Sequence, residues 1–199
     1  FKRFYKGNVV DEIYTPLNQL DFSAELTKIA SQKPDAVYAF YPGAMAITFI
    51  RQYQLAGLLK TIPLLSSAML ETPNLAALKD SALGAFGGMF WGPDTDTAVN
   101  RKFVEGFEAK YKHLPSTWSA QGYDAALLLD SAIAKVKGNV ADKDAFRAAL
   151  KAADFPSVRG KFKFNNNHFP IQDMHISQVV KDAKGRYTVR TVATPLKDH

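Results

Sequence analysis

The 199-residue sequence contains no cysteine, and this absence excludes several kinds of chemistry. Disulfides, thiol nucleophiles and cysteine-ligated zinc are ruled out. The sequence also lacks an uninterrupted apolar run of about 18 residues, which a membrane-spanning helix would need. Hydrophobic residues make up 47% of the chain and charged residues 22%, as in typical globular proteins. The composition therefore predicts a folded globular chain with one or two cores.

Recognisable catalytic and nucleotide-binding motifs are also lacking. No GxSxG segment supplies a nucleophile elbow, and neither GxGxxG nor a GxxxxGK phosphate loop occurs. Ser66, Ser67 and Ser116 stand outside any such pattern. The sequence therefore predicts a protein that is not an enzyme, has no catalytic residues and needs no cofactor.

The candidate metal ligands are too loosely spaced to predict a metal site. His168, Asp173 and His175 lack the helical HExxH pair or a third histidine. The acidic stretch over residues 94–100 lacks the glycine and the distal glutamate of a calcium loop. Structural roles and helix capping are the preferred interpretations.

The chain carries a net charge of +6, but its basic residues are dispersed. The densest groups lie at residues 2–6, 159–163 and 181–190. Aromatic residues do not alternate with these basic residues along one strand, as they do in many nucleic-acid-binding surfaces. A solvated basic face is preferred to a nucleic-acid partner.

The first part of the chain alternates strand and helix patterns, which predicts an α/β fold. Strands are predicted at residues 9–14, 36–41, 62–65 and 85–91, and helices at residues 24–31 and 44–55. Such alternation predicts a parallel sheet with right-handed crossovers and with ligands beyond the carboxyl ends of its strands. Those ends are residues 40–43 and 66–69.

The middle of the chain is predicted to contain helices without strands. The helices are predicted at residues 100–111, 119–136 and 142–153. A helical layer of this kind should pack on strands from elsewhere, so we expect its apolar face to be uncovered or filled by a neighbouring chain. Strands then return at residues 162–164, 175–180 and 187–192, the last two joined by a hairpin turn at residues 182–185.

The order of these elements resembles the leucine-binding protein family of type I periplasmic receptors, over residues 1 to about 180. The segments that carry the resemblance are Asp21-Phe22-Ser23, Lys33-Pro34-Asp35-Ala36-Val37, Arg51-Gln52 with Ala56-Gly57-Leu58, residues 94–100 with Phe103, Gly122-Tyr123-Asp124-Ala125, and Gly160 with Phe164-Asn165.

The resemblance implies two α/β lobes, joined by three strands, that close on a ligand. Residues 1–91 would form a parallel-sheet lobe, the partial C-terminal lobe, and residues 92–172 the mainly helical second half of the N-terminal lobe. Residues 173–199 would return to the C-terminal lobe. The chain would be a C-terminal portion of such a receptor, processed or truncated, without the strands of the N-terminal lobe.

The resemblance also implies a function. Members are periplasmic, or are extracytoplasmic lipoproteins, and deliver a small carboxylate to the membrane permease of an ABC importer. No nucleic acid, metal, cofactor or membrane insertion is expected. A ligand-sensing domain of a receptor or regulator could use the same fold and is an alternative.

The first candidate ligand segment lies at the carboxyl end of the second predicted strand and consists of Phe40, Tyr41, Pro42 and Gly43. An aromatic side chain there can cover an apolar ligand, and the amides of the next helix can hold an anion. The alternative interpretation is strand packing followed by a turn.

The second candidate ligand segment contains Ser67, Ala68 and Met69. In family members that bind amino acids, an acidic residue of this loop pairs with the ligand ammonium, and the resemblance places Ala68 there. Because a buried ammonium without a carboxylate is unfavourable, this loop favours aromatic or other apolar acids. Glu71 is the alternative ammonium partner, and that role would imply branched-chain amino acids.

Trp91 is the last candidate ligand residue. It ends an aromatic stretch with Phe86 and Phe90 that leads out of the fourth predicted strand. Aromatic side chains in such a place either fill a core or stack on a planar ligand. Phe86 is assigned to the core, whereas both roles stay open for Trp91.

Overall fold

The computed structural model describes residues 2–198, so Phe1 and His199, which begin and end the predicted lobes, lie outside the described residues. No helix in this range is long and apolar enough to cross a membrane. The α-helices are α1 (Ser23–Gln32), α2 (Gly43–Leu55), α3 (Thr72–Leu78), α4 (Ala98–Tyr111), α5 (Thr117–Lys135) and α6 (Lys143–Ala152).

The strands form one five-stranded sheet and one short hairpin. They are β1 (Val37–Ala39), β2 (Leu64–Ser67), β3 (Phe86–Met89), β4 (Lys163–Phe164), β5 (Pro170–Ile171), β6 (Met174–Lys181) and β7 (Tyr187–Leu196). The sheet order is β1-β2-β3-β6-β7, while β4 pairs with β5. Strands β1, β2 and β3 run parallel, and β6 and β7 are antiparallel additions. The predicted α/β fold with a parallel sheet is confirmed.

Two local predictions about the strands need correction. The strand predicted at residues 9–14 is absent from the structure, which has irregular and mostly exposed chain there. A strand requires a neighbour to accept its ladder hydrogen bonds, and Asp11 instead binds side chains of α1, Lys28 and Gln32. Strand β2 also begins two residues later than predicted, so that Ser66 and Ser67 belong to the sheet.

Helix α3 was missed by the sequence analysis. It has seven residues, too few for a clear 3.6-residue period, although Pro73 in its first turn is a helix-start signal. Its buried leucines, Leu75 and Leu78, pack in the core beside the sheet. This helix leads away from the second candidate ligand segment.

The largest apolar cluster, which we call the sheet core, lies between the sheet and helices α1 to α3. Phe22, Phe49 and Tyr53 form its aromatic centre. Tyr53 also donates its hydroxyl hydrogen bond to the Ile62 carbonyl at 3.0 Å. The sheet core thus holds the carboxyl ends of β1 and β2 in fixed positions.

A second apolar cluster, the helical core, lies among helices α4 and α5 and the segment before β4. Its buried members are Trp91, Phe103, Ala120 and Val158. Residues 97–154 contain helices and no strand, as the sequence predicted. Apolar side chains of α5, among them Trp118 and Leu129, stay exposed. The predicted lobe boundaries at residues 91/92 and 172/173 remain predictions.

Candidate functional site

The first candidate ligand segment lies between β1 and α2. Tyr41 is half-buried, and its ring packs on Phe22 and Phe49 with centroids 5.0 and 4.8 Å apart. Phe40 points outward and is 58% exposed. Pro42 is the N-cap of α2 and Gly43 adopts a φ of 50°, a left-handed value that suits glycine. This segment therefore offers one exposed aromatic ring beside a helix N-terminus.

The N-terminus of α2 provides donors for an anion. The first amides of a helix lack the usual acceptors four residues back, and Pro42 supplies no side-chain cap. The Met45 amide already donates to the Pro42 carbonyl at 3.2 Å, so the donors for an anion are the amides of Gly43 and Ala44. The helix dipole also favours negative charge there. A carboxylate that approached Phe40 could accept hydrogen bonds from these amides.

The second candidate ligand segment contacts the first. The Tyr41 amide donates a hydrogen bond to the Met69 sulfur at 3.3 Å, which ties the two segments together. Met69 is fully buried, so it supports Tyr41 from within the sheet core. Ala68 adopts a φ of 57°, which is sparsely populated by residues other than glycine, asparagine and aspartate. The chain therefore turns sharply directly after β2.

A small cavity of about 20 Å³ lies beside Ala68. Among the residues that line it are Ala68, Glu71, Trp91, Thr117 and Ser177. They come from the loop after β2, the end of β3, the start of α5 and β6. The cavity thus brings together two predicted ligand residues, Ala68 and Trp91, and polar residues of distant segments.

The Glu71 carboxyl is the main polar group of this cavity, and it is only 8% exposed. Its Oε2 accepts a hydrogen bond from the Thr117 amide at the start of α5, at 3.0 Å. Burial raises the pKa of Glu71, while hydrogen bonds from the amide and side chain of Thr117 lower that pKa to a smaller extent. Its Oε1 is buried and has no hydrogen-bond partner within residues 2–198.

Trp91 lies between the cavity and the helical core. Its ring packs on Phe103 with the centroids 6.1 Å apart, and its indole N–H donates to Asn100 Oδ1 at 2.8 Å. Asn100 in turn donates to the Thr95 carbonyl at 2.9 Å. Because the indole N–H is already used, Trp91 can present only apolar ring surface to the cavity.

A second buried polar group, which the sequence analysis did not identify as an ion pair, holds the helical segment together. Asp124 accepts hydrogen bonds from the Val158 amide at 2.9 Å, the Ser157 hydroxyl at 2.6 Å and Arg159 Nε at 2.8 Å. The Arg159 guanidinium also lies over the Phe162 ring, 4.5 Å from its centroid. A charged residue in the apolar run of α5 was the sequence signal, because such a residue needs a partner.

The candidate metal ligands are not clustered in the part of the chain that the structure describes. No group of three or more histidine, aspartate or glutamate side chains is placed to hold a metal ion there. His175 Nδ1 lies 2.9 Å from the Thr194 hydroxyl, across the β6-β7 pair. The acidic stretch at residues 94–100 has structural roles: Thr97 caps helix α4 by accepting a hydrogen bond from the Asn100 amide. Asp94 does not cap the helix and instead accepts hydrogen bonds from the amide and hydroxyl of Thr191 in β7.

Sequence comparisons identify a family and relatives of this chain. Residues 2–185 match a family model described as periplasmic binding protein. The Leu/Ile/Val-binding protein homolog 6 of Brucella melitensis is 29% identical over 196 residues, which are 94% of this chain and 50% of the relative. The chain therefore spans about half the length of the curated relatives that it matches.

Solved structures agree with this comparison. A solute-binding protein of an ABC transporter from R. palustris, in complex with benzoate, is 34% identical with a TM-score of 0.82, covering 98% of this chain and 54% of that one. A second, from Rhodopseudomonas palustris BisB5 in complex with 3,4-dihydroxybenzoic acid, is 27% identical with a TM-score of 0.77. That match covers 89% of this chain and 50% of the other. The resemblance drawn from the sequence is confirmed, and the chain belongs to the periplasmic binding protein family.

Proposed function

We propose that this chain is part of an extracytoplasmic receptor that captures a small aromatic or apolar carboxylate for an ABC importer. The observation that carries the proposal is the loop after β2, where Ala68 is apolar and the next residue, Met69, accepts a hydrogen bond from the Tyr41 amide. The benzoate complex of the R. palustris relative supports the same ligand class.

The ligand would bind where the two candidate segments meet. Its carboxylate would accept hydrogen bonds from the first amides of α2, and its ring would contact Phe40 and the exposed edge of Tyr41. Closure of two lobes would follow, because a ligand stabilises the state in which it makes more contacts. No covalent bond is made or broken, so the protein acts by binding and not as an enzyme.

The proposed partners follow from the family. A receptor of this kind acts in the periplasm or as an extracytoplasmic lipoprotein, and it passes its ligand to the membrane permease of the importer. Metals, cofactors and nucleic acids have no part in this proposal.

Calorimetry tests the ligand class. It is performed on this chain and, where the gene encodes a longer polypeptide, on that polypeptide. Benzoate and cinnamate are set beside leucine, isoleucine and valine. We expect heat from the aromatic acids and little or none from the amino acids.

An Ala68→Glu variant tests the loop itself. A carboxylate introduced at position 68 should weaken an aromatic acid at least about tenfold, because like charges would then lie close together. Ala76→Glu, at an exposed position of α3, is the matched control and should leave the affinity unchanged. An unchanged affinity in Ala68→Glu would place the ligand elsewhere.

Branched-chain amino acids are the second candidate ligands. Glu71 favours them, because its buried Oε1 has no partner within residues 2–198 and a carboxylate can pair with an ammonium. The name of the Brucella melitensis relative points the same way. Micromolar binding of leucine without heat from the aromatic acids would select this candidate.

A further inference from the structure

The cavity beside Ala68 contains two buried polar atoms whose hydrogen-bonding capacity is unused. Besides Oε1 of Glu71, Oγ of Ser177 has no hydrogen-bond partner among the described residues, and Ser177 is only 2% exposed. Both residues line the same cavity. Buried polar atoms in proteins are nearly always hydrogen-bonded, to protein, water or ligand. Two such atoms in one cavity therefore indicate a small polar occupant.

The size of the cavity limits that occupant. A volume of about 20 Å³ is slightly more than the 10–15 Å³ that one water-sized group requires. An aromatic ring or a hydrated ion is too large. The rest of the lining is mixed: Leu70, Met89 and Val189 are apolar, and three further hydroxyl side chains belong to Thr72, Ser116 and Thr117. These hydroxyls already have partners, because Thr72 donates to the Pro115 carbonyl, Ser116 accepts from the Ser119 amide and Thr117 bonds the Glu71 carboxyl.

The two polar atoms also limit the chemistry of the occupant. A carboxylate oxygen accepts a hydrogen bond, and a serine hydroxyl can both donate and accept. A hydroxyl group matches this pair, because it donates one hydrogen bond and accepts another. An ammonium group matches it less well, since its three donors require three acceptors.

We propose that this cavity binds one hydroxyl group, which donates a hydrogen bond to Glu71 Oε1 and accepts one from Ser177 Oγ. The hydroxyl has two possible sources. One is a ring hydroxyl of a bound aromatic acid, and this source rests on the proposed function. The other is a resident water molecule, which does not.

The Glu71 carboxyl is held in a fixed position, so the cavity can select ligands that carry a hydroxyl group. Its second oxygen is held by the Thr117 amide, and the neighbouring Thr72 hydroxyl donates to the Pro115 carbonyl at 2.8 Å. These two hydrogen bonds fix the carboxyl between the loop after β2 and the start of α5. A fixed acceptor in a buried site discriminates strongly against ligands that leave it unpaired.

The first arm of the test compares benzoate with 3-hydroxybenzoate and 4-hydroxybenzoate by calorimetry. If a ring hydroxyl is the source, one hydroxybenzoate binds about tenfold more tightly than benzoate, since hydrogen bonds to charged groups contribute most. The ratio of the hydroxybenzoate affinity to the benzoate affinity should fall towards one in Glu71→Gln, because its amide presents a donor in place of an acceptor. The same ratio should fall towards one in Ser177→Ala.

The matched control is Glu25→Gln. Glu25 also has a buried carboxylate oxygen without a partner in the described part of the chain, but it lies on α1 and outside the cavity. The ratio should stay unchanged in this variant. A ratio that survives both Glu71→Gln and Ser177→Ala would overturn the ring-hydroxyl source.

The second arm is a high-resolution crystal structure without ligand. An ordered water within about 3.2 Å of both Glu71 Oε1 and Ser177 Oγ supports the resident-water source. Equal affinities for all three acids together with no ordered water would overturn the proposal. If no aromatic acid binds, the proposed function fails, and this second arm still decides whether the cavity holds a hydroxyl group.

Discussion

At the scale of single residues, burial disfavours the charged form of Glu71 more than the hydrogen bonds from Thr117 favour it. The pKa of Glu71 is therefore raised in the folded protein. No lysine, arginine or histidine lines its cavity among the described residues. The folded state therefore holds the Glu71 proton more tightly than the unfolded state. Its contribution to stability is fully present below the unfolded pKa and is lost as pH rises through the folded pKa.

This sign leads to a prediction for Glu71→Gln. Relative to the variant, the unmodified protein should lose stability as pH rises above 4.5, because only its Glu71 must give up a buried proton. Urea unfolding of both proteins between pH 4.5 and 7.5 measures this difference. A difference that stays flat, or that changes in the opposite direction, would contradict the raised pKa.

The buried pair of Asp124 and Arg159 gives a second prediction at this scale. Their side chains are 1% and 8% exposed. Asp124→Ala should lower the free energy of unfolding by about 3–5 kcal/mol, because it leaves the guanidinium buried without its partner. Asp130→Ala, at an exposed position of the same helix, should change it by less than about 0.5 kcal/mol. Equal effects of the two substitutions in urea unfolding would show that the pair contributes little.

At the scale of elements, helix α1 ends with Lys33 in the left-handed conformation, at a φ of 47°. Its amide closes the helix by donating to the Ile29 carbonyl. Lys33→Gly should raise stability by about 0.5–1 kcal/mol, because glycine adopts this conformation without steric cost.

The matched control for Lys33→Gly is Ala30→Gly, inside the same helix. It should lower stability by about 0.5–1 kcal/mol. Thermal unfolding of Lys33→Gly and Ala30→Gly measures the two changes in stability. If both glycines destabilise the protein, residue 33 does not have the conformation described.

The elements also show which predictions local sequence could support. Strands β1 and β3, the β6-β7 hairpin and helices α4 to α6 were predicted, because apolar periodicity, glycine turns and caps are local signals. Residues 9–14 show the same alternation but form no strand. Alternation specifies which side chains share a face, whereas pairing needs a neighbouring strand.

At the scale of the whole molecule, α5 presents apolar side chains to solvent. Trp118, Leu129 and Ile133 are 63%, 47% and 42% exposed and recur at helical spacing. Exposed apolar side chains on one helix promote association. The 199-residue chain should therefore self-associate at high concentration, and the double variant Leu129→Glu with Ile133→Lys should shift it towards the monomer.

Sedimentation velocity over a range of concentrations measures this association. Leu55→Glu, which changes an isolated exposed leucine outside α5, is the control and should have no effect. A chain that stays monomeric at every concentration would show that the α5 surface is too small to associate.

The sequence by itself determined the α/β class, the parallel strands, the helical middle segment and the family, because these follow from patterns within about 20 residues or from segments in a known order. It also predicted that Phe40 to Gly43 and Ser67 to Met69 lie at the ends of strands. Only the tertiary structure decided which side chains meet: that Met69 supports Tyr41 from within the core, that Trp91 is held by Asn100, and that Glu71 reaches the start of α5. Such contacts join residues far apart in the chain, and packing in three dimensions, not local spacing, determines them.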